Sequence, residues 1–121
     1  MSFSTELPNW DDMAAMLRSI SHPIRLMILN ELTSGAKCVR DVQEIVDISQ
    51  PNLSQHLNAL KNAGFVGCHS KGALRCYYLI RPALVKKLLG EFAKPHPVQV
   101  RPKAVVVQEV EQHQKKKALS G

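Results

Sequence analysis

The hydrophobic period of this 121-residue chain changes twice, and those changes limit what it can fold into. From about Asn9 to Asn62 apolar residues recur every three or four positions, the spacing of helices with one buried face. After Gly64 the texture switches, and "FVGCHS", "KGA" and "LRCYYLI" read as two short strands around a glycine-containing turn. Pro82 then restores the helical period, with Val85, Leu88, Leu89 and Phe92 as its stripe. The expected class is mainly α with a small β-hairpin.

The helical part divides into four. The first runs from about Asn9 to Ser21, with Trp10, Met13, Ala14, Leu17 and Ile20 on one face, Asn9 as N-cap and acids at 11 and 12. The second, Pro23 to Leu32, is apolar almost all round, which marks it as the buried centre, and Gly35 ends it. "CVRDVQEIVDI" gives the third, with Val39, Val42, Ile45 and Val46 inward. "SQPNLSQHLNALKNAGFV", residues 49 to 66, gives the fourth, stopped by Gly64. A short turn at Asp47 to Ser49 joins the third and fourth helices. A compact helix-turn-helix followed at once by a hairpin is the winged form of a DNA-reading unit. The expectation is therefore a winged helix-turn-helix of about five helices and a two-stranded antiparallel wing, occupying residues 1–93.

Residues 94–121 read as a Pro-containing basic tail. "KPHPVQVRP" holds three prolines in nine residues, which bars a continuous helix and suggests an extended linker. "KAVVVQEVEQHQKKK" fits either a short helix or a flexible basic end, and its composition favours the second. The net charge of +6 is concentrated there: residues 1–93 hold 10 Lys/Arg against 8 Asp/Glu, and residues 94–121 hold 6 against 2. A basic chain is drawn to polyanions, but a soluble protein with a basic end accounts for this excess equally well. No apolar run approaches the roughly 20 residues of a membrane span, and the N-terminal segment lacks the character of a signal peptide. Three cysteines without tight spacing argue for reduced thiols, so the chain reads as cytosolic.

The fourth helix carries the functional argument. With Leu53 as reference and ~100° per residue, Leu57 and Leu60 fall within about 40° of it and define a buried seam. Pro51, Gln55, Asn58 and Asn62 point away, Asn52 and Ser54 flank them, and His56 stands at the edge of the seam. No Lys, Arg, Asp or Glu appears in this helix before Lys61. A solvated helix face prefers charged, strong helix formers, whereas amide and hydroxyl side chains pair with base edges in the major groove. A face that merely solvates the helix is the plainer alternative. The missing charge, the helix-turn-helix and the wing weigh against it.

"SHPIRLMILNEL", then "VRDVQEIVDISQPNLSQHLNALKNAGFV", then a wing ending in "YYLI" resembles the ArsR family of winged-helix repressors over about residues 10 to 93. The resemblance implies a homodimer formed by the first and last core helices, on double-stranded DNA with an inverted-repeat operator. It makes Ser49, Gln50, Asn52, Ser54, Gln55 and His56 groove residues, and His69, Lys71 and Arg75 wing contacts. It also implies release from DNA when a metal, metalloid such as As(III) or oxidant alters cysteines or histidines. Here the sequence departs from the family pattern. "CVRD" keeps Cys38 but places Arg40 where arsenic-responsive members commonly have a second thiol, and the Asp-x-His pair of the last helix is missing.

Two further thiols, Cys68 and Cys76, lie on the wing strands. A three-residue Lys-Gly-Ala turn pairs Ser70 with Leu74 and sets Cys68 opposite Cys76, whereas a turn longer by one residue sends them to opposite faces. Arg75 and Lys71 nearby would favour thiolate. Cys38, Cys68 and Cys76 are thus candidate sensor thiols for a thiophilic metal, metalloid or oxidant, against the plainer reading of cysteine as a small buried hydrophobe. No phosphate loop, nucleophile elbow, carboxylate pair or metal-hydrolase motif is present, so an enzyme is not expected. Competing with the repressor reading are a winged-helix module that binds protein or RNA, and a repressor without cysteine-based sensing.

Overall fold

The computed structural model describes residues 7–120; residues 1–6 of the expected 1–93 domain, and residue 121, lie outside the described residues. Six helices and three short strands follow in the order α1 (Trp10–Ile20), α2 (Pro23–Leu32), β1 (Lys37–Cys38), α3 (Val39–Val46), α4 (Gln50–Asn62), β2 (Val66–Lys71), β3 (Leu74–Leu79), α5 (Pro82–Ala93) and α6 (Lys103–Ser120).

The helix ends have local causes. The Asn9 side chain accepts from the Asp12 amide at 3.1 Å, and Asp11 and Asp12 sit where the positive end of the α1 dipole favours them. His22 caps α2 through Nδ1, which accepts from the Ile24 amide at 3.0 Å, with Pro23 in the first turn. At the far end of α4, Gly64 takes φ +81°. The Gly64 amide donates to the Lys61 carbonyl and the Phe65 amide to the Leu60 carbonyl, the paired bonds of a Schellman cap. That cap turns the chain sharply from α4 into the wing.

The core is the set Ile20, Ile28, Leu29, Leu32, Val42, Val46, Leu53, Leu57, Leu60, Phe65, Val66, Tyr77 and Val85, with no buried polar side chain among them. It draws on α1 to α5 and both long strands, which binds the wing and the helices into one packed unit. The second helix supplies three of these residues, as its all-round apolarity led one to expect.

Three features differ from expectation. The sheet has three strands in the order β1-β3-β2, because Cys38, expected to open the third helix, and Lys37 before it pair antiparallel with Cys76 and Tyr77. The wing turn has two residues, Gly72 and Ala73, so Lys71 pairs with Leu74 and Ser70 with Arg75. Gly72 supplies the positive φ of +60° that the first central position of a type II′ hairpin turn requires. Finally, the tail contains an 18-residue helix where a flexible end was favoured. Beyond Pro102 the sequence holds neither Pro nor Gly until residue 121, and Ala, Gln, Glu and Lys are good helix formers. The Pro102 carbonyl accepts from the Val105 and Val106 amides, and Arg101 pairs with Glu109 at 2.8 Å. The segment 94–102 before it has no helix or strand. No described helix is long and apolar enough to cross a membrane.

Candidate nucleic-acid interface

The α3–α4 corner is set by one residue. Asp47, at φ +50°, is the single described non-glycine residue in the left-handed region, a conformation that Asp tolerates better than most side chains. Ser49 follows as N-cap of α4, its hydroxyl accepting from the Asn52 amide at 3.4 Å. Pro51 sits in the first turn, where a missing amide proton costs nothing. Leu53, Leu57 and Leu60 are wholly buried and clamp one side of α4 to the core. The opposite side is then left to water: Gln50, Asn52, Gln55 and Asn58 are exposed, and Ser54 is half-buried.

His56 behaves differently from its neighbours. It is half-buried, its Nδ1 accepts from Arg25 Nε at 3.1 Å, and its ring lies 4.5 Å from that of His22. The same Arg25 donates to the Ser19 carbonyl at 2.8 Å. His56 is therefore part of a clasp between α4 and the α1–α2 corner. Desolvation, then His22 and Arg25, lower its pKa below the ordinary value of 6.5, which keeps the ring neutral and able to accept. Half-burial agrees with the edge position that the helical spacing implies, and Arg25 occupies one of the two ring nitrogens.

On the wing, His69 and Lys71 of β2 and Arg75 of β3 are all exposed. Alternation along the strands places His69 and Lys71 on one face and Arg75 on the other, so they do not form one surface. Gly67 lies opposite Tyr78, and a Cβ there would stand 2.4 Å from the tyrosine ring. Only glycine lets that ring lie across the strand.

Between the start of α3, the start of α4 and the wing lies an open groove of about 570 Å³. Its lining includes Arg40, Gln50, Ser54, Arg75 and Tyr77. In the sequence Arg40 stands out only as the replacement for a thiol. It occupies the first turn of α3, where a cation opposes the helix dipole. That local misfit is the signal that could have marked it. Arg40 and Arg75 bring positive charge to two sides of a groove whose third side is the neutral face of α4, and Asp41 offsets part of it on the α3 side.

The three thiols are arranged otherwise than expected. Cys68 pairs with Tyr77, and Cys76 pairs with His69, so Cys68 and Cys76 face opposite sides of the sheet. The expected juxtaposition rested on a three-residue turn, and the two-residue turn undoes it. Cys68 packs against the core. Cys76 instead stands opposite Cys38 on β1, with the sulfurs 2.7 Å apart. Contact with Cys38, then desolvation, raise the Cys76 thiol above its usual range, contrary to the activation expected from Arg75 and Lys71. Among the described residues no three of His, Cys, Asp and Glu converge to hold a metal ion.

Residues 22–67, which hold the second helix, the helix-turn-helix and the start of the wing, match the model of "Bacterial regulatory protein, arsR family". An uncharacterized HTH-type transcriptional regulator of Methanocaldococcus jannaschii is 33% identical over 88 residues, covering 70% of this chain and 99% of that one. The chain belongs to the arsR family. This arsR-family chain is also 32% identical to the biofilm growth-associated repressor of Agrobacterium fabrum, over 69% of its own length and 74% of the relative's. The crystal structure of the transcriptional repressor BigR from Xylella fastidiosa superposes with a TM-score of 0.62 at 31% identity, covering 70% of this chain and 90% of the other. Membership makes the chain a regulatory protein rather than an enzyme and accounts for the winged-helix architecture.

Proposed function

We propose that the chain is a sequence-specific, DNA-binding transcriptional repressor that works as a homodimer in the cytoplasm and is released by a thiol-directed signal. The observation that carries this reading is the division of α4. One side is fixed by three wholly buried leucines, and the other presents Gln50, Asn52, Ser54 and Gln55 without a single charge. Neutral amides and hydroxyls at that position suit the donor and acceptor pattern of the major groove. Arg40, Lys71 and Arg75 suit the phosphate backbone, which positions a protein without specifying sequence. His56 contributes by holding α4 to Arg25, and Ser49 by capping the helix.

A second copy is supported by the apolar surface left on α1 and α5. Trp10 is 65% exposed and Phe92 80% exposed, with Met13 and Leu17 beside them on the α1 face. Leu17, Ile20, Leu26, Leu88, Leu89 and Phe92 line an apolar groove of about 310 Å³ between α1, α2 and α5. An apolar patch of this kind on a small domain is the mark of an interaction surface. Dimerisation through it would let two α4 helices enter successive major grooves one duplex turn apart.

The test is binding by fluorescence anisotropy to promoter fragments that carry inverted repeats and to random duplexes, with sedimentation to count the chains. A dimer that prefers an inverted repeat by about a thousandfold or more is expected. Equal affinity for every duplex, or tighter binding to RNA or to a protein, would remove the reading.

A further inference from the structure

We propose that Cys38 and Cys76 form a redox-active dithiol that small-molecule disulfides close into an intramolecular disulfide bond. Cys38 and Cys76 are Cα partners on neighbouring antiparallel strands although 38 residues separate them in sequence. Directly opposed residues in such a pair have Cα atoms about 4.5 to 5.5 Å apart, inside the range that disulfides span. The sulfurs already touch at 2.7 Å. The backbone on both sides is fixed by the sheet, so closure needs only side-chain adjustment. Both thiols are free and half-buried, within reach of a small reagent.

The surroundings do not make a zinc site: zinc wants four ligands, yet among the described residues no third donor converges on the pair. Cys68, on the opposite face, is excluded from it.

The chemistry balances as two exchanges. The Cys38 thiolate attacks one sulfur of a disulfide RSSR, forming the mixed disulfide Cys38–S–SR and releasing one thiolate RS⁻. Cys76 then gives up its proton to solvent and attacks the Cys38 sulfur, expelling the second RS⁻. Two protein thiols are oxidised and one RSSR is reduced to two thiols. Cys76 is suited to the second step because the partner sulfur is already beside it. The new bond would join the N-cap residue of α3 to the central strand of the sheet and so tie the helix-turn-helix to the wing.

This deepens the thiol-directed signal of the repressor reading by naming an oxidant as its class. Its readout is a covalent bond, so it succeeds or fails independently of DNA binding. Full-length protein is incubated with oxidised glutathione and then alkylated, digested and analysed by mass spectrometry. Loss of two hydrogens, a peptide cross-link between Cys38 and Cys76 reversed by dithiothreitol, and a fully alkylated Cys68 are expected. Cys76→Ser should instead accumulate one glutathionyl group on Cys38, and Cys68→Ser should close like the wild type. A bond that includes Cys68, a bond between two chains, or persistent alkylation of both Cys38 and Cys76 would overturn the proposal. Because the wild-type peptide map needs no variant, a poorly folded mutant leaves the test intact.

Discussion

α4 and α6 are the two longest helices, at 13 and 18 residues, and only the shorter one is built into the core. α4 buries Leu53, Leu57 and Leu60, while α6 buries nothing and leaves Val105, Val106, Val107 and Val110 at 40% to 52% exposure. Their free faces differ in the opposite sense. α6 carries Gln, Glu and Lys, which form helices readily, whereas α4 sets beside Gln50 and Gln55 a run of Asn, Ser and His, which do so poorly. The difference shows where each helix gets its stability. α6 depends on local propensity and on its Arg101–Glu109 pair, an exposed interaction worth little. Tertiary packing holds α4 in place, so its outer face is free to be chosen for something other than helix formation.

The sharpest way to break this contrast is to remove a methyl-bearing side chain from each helix. Leu57→Ala should cost about 2 to 5 kcal/mol in denaturant unfolding, because the core around it collapses only in part. Val106→Ala should change stability by less than about 0.5 kcal/mol. Comparable losses at the two positions would show that α6 is packed after all.

The outer face of α4 is tested on DNA. Gln55→Ala or Asn52→Ala should lose about 1 to 3 kcal/mol of affinity for an inverted-repeat site and little for random duplex. Arg40→Ala should weaken both and reduce the salt slope by about 1. A Gln55→Ala variant that loses affinity equally on the two DNAs would reassign that residue to positioning.

A smaller effect is expected from the clasp that holds α4. The folded-state pKa of His56 lies below its unfolded value, so the unfolded chain binds more protons as pH falls. Stability should be full above the ordinary value of 6.5, decline as pH drops through it, and level off once the folded-state pKa has been passed. Thermal melts between neutral and mildly acidic pH measure this, and His56→Gln should flatten the decline. An unchanged slope in that variant would place the titration elsewhere.

The smallest effect belongs to the tail. Replacing Lys115, Lys116 and Lys117 by alanine should leave folding stability within about 0.5 kcal/mol. It should also lower non-specific DNA affinity at low salt only slightly. A large fall in melting temperature would mean that α6 docks on the rest of the chain.

Most of the fold was legible because its signals are local. Apolar spacing, the caps at Asn9 and Ser49, the prolines at 23, 51 and 82 and the cap at Gly64 each act within a few residues of themselves. The candidate interface was legible for the same reason, since the uncharged face of α4 can be counted off the helical period. His56 was only partly legible: its place at the edge of the seam follows from spacing, while its bond to Arg25 joins residues 31 positions apart. Arg40 left a faint mark, a cation at the wrong end of a helix. The third strand left none, because two residues carry no period.

Residue type at fixed spacing is enough to place five core helices, one hairpin and a helix face without charge, since each of these is settled within a single element. The pairing of Cys38 with Cys76 and the bond between His56 and Arg25 came only with the packed fold, and the wing register came with the two-residue turn at Gly72 and Ala73. A one-residue change in turn length flips every side chain of a strand, and which distant strand lies alongside is settled by how the whole core packs.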